Sequence, residues 1–165
     1  MDERLSLLLK QLDEDIRVGK SEAVQAKLNR LVPTEIPRES ASTVANLSRR
    51  VNLPDLAIQV LHPVVRSKDR SQAKATGKEL AEYAAALTYV GASQEAYGLL
   101  KKVDPRTIPE VLLYQAFALF AQWNYKGSIE PLTRYINAKN ISDYDRFVGK
   151  ANLASALLFE RINPD

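Results

Sequence analysis

Apolar residues recur along most of the chain at the spacing of an α-helix. The clearest case is a single helix face formed by Leu5, Leu8, Leu9, Leu12 and Ile16. No segment alternates cleanly between apolar and polar residues, and no Asn-Gly or Asp-Gly pair marks a β-hairpin. The pattern therefore predicts an all-α protein.

The predicted helices come in pairs joined by short turns, with small residues just after the turns. These small residues are Ala23, Ala57, Ala96 and Ser128, at spacings of 34, 39 and 32 residues. Twelve residues before the last three lie Ala45, Ala84 and Ala116, whereas the first pair has Gln11 at that place. Two helices joined by a tight turn approach closely only where both present small side chains. The spacing thus predicts close-packed helical hairpins.

This pattern resembles the tetratricopeptide repeat family, whose 34-residue unit has small residues at its eighth and twentieth positions. The best match is carried by Leu112, Ala116, Leu119, the turn Trp123-Asn124-Tyr125, Ser128, Ile129 and Leu132. A second match is carried by Leu80, Tyr83, Ala84, Leu87, the turn Gly91-Ala92-Ser93, Ala96 and Leu100. The resemblance implies a right-handed solenoid of antiparallel hairpins whose first helices line a concave groove.

We expect one domain over residues 1–165, with about four helix pairs and one extra helix. The approximate repeats are 1–36, 39–67, 73–107, 109–140 and an incomplete 142–165. In the last repeat, the segment from Phe147 to Phe159 predicts a first helix with Ala154 at the small position, and a turn at 163–165 follows. Either the chain is the N-terminal part of a longer protein, or another molecule covers the exposed helix face. A homo-oligomer would be one such cover.

Two further local expectations concern the second repeat. Pro63 follows His62 inside a predicted helix, and a proline there removes a backbone donor and crowds the preceding turn. We therefore expect a bend or an early end at His62. The polar residues 66–74 form either an exposed loop or a backward extension of the next helix.

Composition excludes several classes of protein. The chain has 45% hydrophobic and 26% charged residues, as an ordinary globular domain has. It has no Cys and one His, which excludes disulfides, Cys-based metal sites and multi-histidine metal sites. No apolar run reaches the length of a membrane span. The N-terminus lacks the pattern of a secretory signal, so we expect a cytoplasmic location if Met1 is the natural start.

The sequence offers little that supports catalysis. His62 has no nucleophile motif near it, and no glycine-rich phosphate-binding motif is present. Glu79 and Glu82 share a helix face, which we interpret as an ordinary solvated face. We therefore predict that the protein is not an enzyme and needs no cofactor or metal.

The predicted groove changes in character along the chain. Its residues are Asn46, Arg49, Arg50, Lys78, Tyr89, Phe117 and Phe120. Arginines pair with carboxylates and aromatics supply contact area, so we expect a peptide or helix with acidic and apolar parts as the partner. Phe117 and Phe120 could equally pack against neighbouring helices.

Three functions remain open from the sequence. The leading one is a protein-interaction scaffold or adaptor that binds a peptide or helix in the groove. The alternative is a regulatory or oligomerisation region of a larger enzyme or signalling protein. The third is a nucleic-acid-binding helical repeat, because residues 17–78 carry twelve bases and five acids. The absence of aromatics from residues 1–78 argues against base stacking and makes nucleic acid the least favoured partner.

Overall fold

The computed structural model describes residues 3–69, 71 and 73–162. Within these ranges the chain forms nine α-helices and no strand, which confirms the all-α prediction. The helices are α1 (Glu3–Arg17), α2 (Ser21–Leu28), α3 (Arg38–Arg50), α4 (Pro54–Val65), α5 (Gly77–Tyr89), α6 (Ser93–Leu100), α7 (Glu110–Phe120), α8 (Tyr125–Ile136) and α9 (Asp143–Ile162). A short 3-10 turn at Pro33–Glu35 precedes α3.

The chain divides into two compact units, Met1–Ala86 and Leu87–Asp165, with the division inside α5. In unit 1, α1 contacts both α2 and α3, and α3 contacts α4. In unit 2, the helices contact each other in chain order from α6 to α9. The core of unit 2 includes Ala116, Leu132 and Ala156, from α7, α8 and α9.

One type of turn recurs four times, twice in each unit. In each turn, the amide of one residue donates to the carbonyl five residues earlier at 2.8–2.9 Å: Lys20 to Asp15, Leu53 to Ser48, Ala92 to Leu87 and Asn124 to Leu119. The preceding residue has a positive φ in every case: Gly19, Asn52, Gly91 and Trp123. This is the hydrogen bonding of a Schellman helix ending. The next helix begins directly after it, which explains the short connections.

Most of the predicted small residues are buried. Six of them are fully inaccessible to solvent: Ala45, Ala57, Ala84, Ala96, Ala116 and Ser128. The prediction is wrong in the first pair, where Ala23 is exposed and Val24 is fully buried. The amide of Val24 bonds to the carbonyl of Lys20, just as that of Ala57 bonds to Leu53. The equivalent residue is therefore Val24, so the sequence comparison was displaced by one residue.

The small position in α9 was also predicted wrongly. Ala154 is exposed, and Ala156 is the residue that is fully buried. The face of α9 that packs on α8 contains Gly149, where an added Cβ would lie 2.8 Å from side-chain atoms of Ile136 and Tyr135. This close approach sets the rotation of α9, and Ala154 then points away from the core. The turn predicted at 163–165 lies outside the described residues.

Of the two outcomes expected at Pro63, a bend or an early helix end at His62, the early end is wrong. Helix α4 continues through Pro63 to Val65. The proline removes one intrahelical hydrogen bond, that of its own missing N–H, and the helix ends two residues later. Of the stretch 66–76, the described residues are not helical, so the loop is the correct alternative.

Candidate interaction surfaces

Two of the predicted groove residues on α3 bind a buried carboxylate of the same unit. The side-chain amide of Asn46 donates to Oε1 of Glu82 at 3.0 Å. The Nε and Nη2 atoms of Arg49 both lie 3.4 Å from Oε2 of Glu82. Arg49 is 8% exposed and Glu82 is 5% exposed. Arg49, which we expected to pair with a carboxylate of a partner, thus pairs with a carboxylate of unit 1 itself.

A second ionic cluster lies at the start of α5. Arg38 donates to both carboxylate oxygens of Glu79 at 2.9 and 3.1 Å, and to the carbonyls of Ala73 and Lys74 at 2.8 Å. Thr76 and Glu79 exchange side-chain-to-backbone hydrogen bonds, as in a capping box. Burial raises the pKa of Glu79, but the hydrogen bonds from Arg38 and Thr76 outweigh it and hold the pKa below its ordinary value.

The interpretation of Glu79 and Glu82 as a solvated face is therefore wrong. Each is 5% exposed, because cations and an amide on α3 lie against this face of α5. The signal that could have revealed it is complementary charge. Arg38 and Arg49 are eleven residues apart on α3, three helical turns, so both can face a pair of carboxylates on one neighbouring helix.

A cleft of about 580 Å³ lies between α1 and α3 in unit 1. Its lining includes the buried side chains of Leu9 and Leu47. The polar and charged lining residues are Ser6, Lys10, Asp13, Glu14, Arg17, Glu39, Ser40, Thr43 and Asn46. Each helix contributes one continuous face to this α1–α3 cleft, because the lining residues recur at helical spacing.

Arg50, another predicted groove residue, lies beside this cleft. It forms an ion pair with Asp13 of the cleft wall, and Arg17 pairs with the same carboxylate at 2.9 Å. Hydrogen bonds from Arg50 and then Arg17 hold the pKa of Asp13 below its ordinary value. Of the other predicted residues, Lys78 is exposed in unit 1 and Tyr89 is 54% exposed in unit 2.

Phe117 and Phe120 belong to a chain of aromatic rings in unit 2, here called the aromatic cluster. Ring centroids are 6.4 Å apart for Phe117 and Phe120, and 5.6 Å apart for Phe120 and Tyr125. Tyr125 stacks on Phe159 at 4.8 Å and meets Trp123 edge-on at 6.4 Å. Both phenylalanines are half-buried. Phe120 also packs against the core of unit 2, so it has at least a structural role.

Trp123 was missed as a site candidate. It is 80% exposed and has a φ of 60°, in the left-handed region, which costs a non-glycine residue about 1 kcal/mol. The positive φ belongs to the Schellman turn after α7, as that of Asn52 does after α3, so only the exposure of the indole makes Trp123 a candidate. The signal in the sequence was the density of aromatic residues between positions 117 and 125.

One side of α9 exposes a row of apolar residues, here called the outer face of α9. It consists of Tyr144, Phe147, Ala151, Ala154, Leu158 and Ile162. The four large side chains are 74%, 69%, 56% and 61% exposed in chain order. The six residues recur every three or four positions, so they form one continuous strip along the helix.

Neither a metal site nor a membrane span is found in the described part of the chain. No three His, Asp or Glu side chains there are grouped so as to hold a metal ion. None of the helices described is both long enough and apolar enough to cross a bilayer. Comparisons of the chain with protein-family models, with curated proteins and with solved structures found no match.

Proposed function

We propose that the chain is a protein-interaction module that holds an extended segment of a partner protein in the α1–α3 cleft. The observation that carries this proposal is the cleft itself. Its volume of about 580 Å³ falls in the range of roughly 300–1,000 Å³ that ligand-binding clefts span. Its apolar floor and its polar walls suit a peptide that is recognised by both its backbone and its side chains.

The arrangement of the helices supports this proposal. Helices α1 and α3 are the first helices of two successive pairs, and the resemblance to tetratricopeptide repeats implies that first helices line the binding groove. Asn46, a predicted groove residue, lines the cleft. Its amide nitrogen donates to Glu82, which leaves the amide oxygen as the atom of this side chain that can accept a peptide N–H.

The charges that line the cleft favour neither an acidic nor a basic partner. Three carboxylates line it, from Asp13, Glu14 and Glu39, against the cations of Lys10 and Arg17, and Asp13 is already paired with Arg17 and Arg50. The acidic partner expected from the sequence is not supported by these charges either. The two arginines that suggested an acidic partner, Arg49 and Arg50, form ion pairs with Glu82 and Asp13.

Selection of random peptides against the whole chain tests this proposal. Selected peptides should share a common sequence pattern, because a single cleft with an apolar floor and polar walls selects them. Thr43 lines the cleft, so Thr43→Trp should fill it and weaken binding by at least about tenfold. Thr34→Trp is the matched control, because Thr34 is exposed in the 3-10 turn of the same unit.

Two results would contradict the proposal. One is that Thr43→Trp binds the selected peptides as well as the control does, while both variants keep the helical circular dichroism of the parent chain. The other is that the selected peptides share no common sequence pattern.

The alternative of an oligomerisation region is favoured by a separate observation, the outer face of α9. Contiguous exposed apolar side chains of this extent mark association surfaces in soluble proteins. A nucleic-acid partner receives less support. In the described part of 17–78, at least six basic residues form ion pairs with carboxylates of the chain: Arg17, Lys20, Lys27, Arg38, Arg49 and Arg50.

A further inference from the structure

We propose that two copies of this chain associate through the outer face of α9, with the two α9 helices antiparallel. The surface lies in unit 2 and the α1–α3 cleft lies in unit 1, so this inference does not depend on peptide binding. It names one occupant for the outer face, a second copy of the chain. The reasons are the exposed area, the sizes of the side chains and the position of the charges.

The exposed area is sufficient for a dimer. Tyr144 and Phe147 are 74% and 69% exposed, and Leu158 and Ile162 are 56% and 61% exposed. Leu157 and Phe159 flank this strip and are 46% and 41% exposed. Together with the two alanines, these side chains expose roughly 600–700 Å² per copy. Covering both copies removes roughly 1,200–1,400 Å² from water, which is within the range of specific protein interfaces.

The sizes of the side chains suit a crossing of two identical helices. Along the strip, two large residues come first, then Ala151 and Ala154, and then two large residues again. Two helices that cross at the alanines approach closely there and diverge towards their ends. The longer side chains at the ends fill the widening gap. A two-fold axis near the alanines places Ala151 opposite Ala154 of the second copy, and Phe147 opposite Leu158 of the second copy.

The charges select the antiparallel orientation. Asp143 begins α9, and Arg161 lies in its last turn. An antiparallel pair brings Asp143 close to Arg161 of the second copy, and it sets each helix N-terminus beside a C-terminus, where the helix dipoles attract. A parallel pair would place Asp143 beside Asp143 of the second copy, where the like charges repel. It would also align the two helix dipoles in the same direction, which is unfavourable. The same apolar strip therefore associates better in the antiparallel arrangement.

Sedimentation of the whole chain tests the association. We expect a dimer that dissociates to monomer on dilution, with a dissociation constant on the order of micromolar. The double variant Phe147→Glu and Leu158→Glu should be monomeric up to about one hundred times that concentration. Leu7→Glu with Val18→Glu is the matched control, because these residues are 71% and 68% exposed in unit 1. The control should dimerise like the parent chain.

Cysteine cross-linking tests the orientation, and the absence of native cysteine leaves no background. A disulfide requires Cα atoms within about 7 Å of each other. An antiparallel pair predicts that a mixture of Ala151→Cys and Ala154→Cys chains cross-links faster than either variant alone. Faster cross-linking of Ala151→Cys with itself would overturn the antiparallel arrangement.

A parent chain that is monomeric at all concentrations would overturn the dimer itself. A glutamate double variant that stays dimeric and folded would also overturn it, because the dimer would then use another surface. Circular dichroism of each variant shows whether the helices are intact.

Discussion

Arg49 lies in the last turn of α3, and the substitution Arg49→Met separates a structural role of this residue from a role in binding a partner. Methionine keeps much of the aliphatic stem of arginine and removes only the charged group. In the structure that group lies 3.4 Å from Oε2 of Glu82 through two nitrogens, and both residues are more than nine-tenths buried. The variant removes the arginine cation from a buried carboxylate.

The expected loss of stability follows from this burial. Removing one partner of a buried ion pair costs about 3–5 kcal/mol, because the remaining charge is neither solvated nor paired. The contacts of Arg49 with Glu82 are long for hydrogen bonds, and Asn46 continues to donate to Glu82 at 3.0 Å. Both points favour the lower end of the range, about 3 kcal/mol. For a chain of this size, that lowers the melting temperature by roughly 6–12 °C.

Urea unfolding followed by circular dichroism measures this loss of stability. If the two compact units unfold in separate transitions, the change belongs to the transition of unit 1. Lys78→Met is the matched control, because Lys78 is exposed, and its stability should stay within about 0.5 kcal/mol of the parent chain. Adding Glu82→Gln to Arg49→Met removes the buried negative charge, so the double variant should recover part of the loss.

The opposite result would refute this reasoning. If Arg49→Met unfolds at the same urea concentration as Lys78→Met, the pair with Glu82 does not stabilise unit 1. Arg49 would then be available to a partner, as the sequence suggested. If the double variant is no more stable than the single one, the loss comes from packing and not from the buried negative charge.

Further predictions concern acid stability and the glycines. The pKa of Glu79 is lower in the folded chain than its ordinary value of 4.5, so its contribution is complete above that value and is lost as the pH falls through the folded pKa. When the pH falls from about 5 to about 3, the free energy of unfolding measured in urea should therefore fall less for Glu79→Gln than for the parent chain. An equal fall for both chains would contradict this. Gly149→Ala places a methyl group 2.8 Å from the ring of Tyr135 and should destabilise unit 2 by about 1–3 kcal/mol in thermal unfolding. At Gly91 an added methyl group meets no described atom within 4 Å, but φ is 85°, so Gly91→Ala should lower the free energy of unfolding by about 1 kcal/mol. Gly98 is helical and also uncrowded, so Gly98→Ala should raise the free energy of unfolding by about 0.5–1 kcal/mol. Equal effects of these two glycine substitutions would show that backbone strain is not the cause.

The helical class, the turns between paired helices and most of the small buried residues could be read from the sequence. Helical periodicity and turn residues act over a few positions, so they are visible without the tertiary structure. Where the reading failed, it failed by one or two residues, at Ala23 and Ala154. A one-residue displacement rotates a position on a helix by about 100°, which is enough to exchange a buried face for an exposed one.

The polar part of the candidate site could not be read in the same way. Glu79, Glu82 and Arg49 look like surface residues in the sequence, because charged residues are seldom buried without a partner. Their partners lie 33 to 41 residues away along the chain, and only the contact between α3 and α5 brings them together.

The outer face of α9 shows the same division between sequence and structure. The sequence by itself determined that a helix covers Phe147 to Phe159, since helical periodicity is a local property. Which side of the helix remains exposed was decided by the tertiary structure. Gly149 allows α8 to approach, and that contact turns Phe147 and Leu158 away from the core.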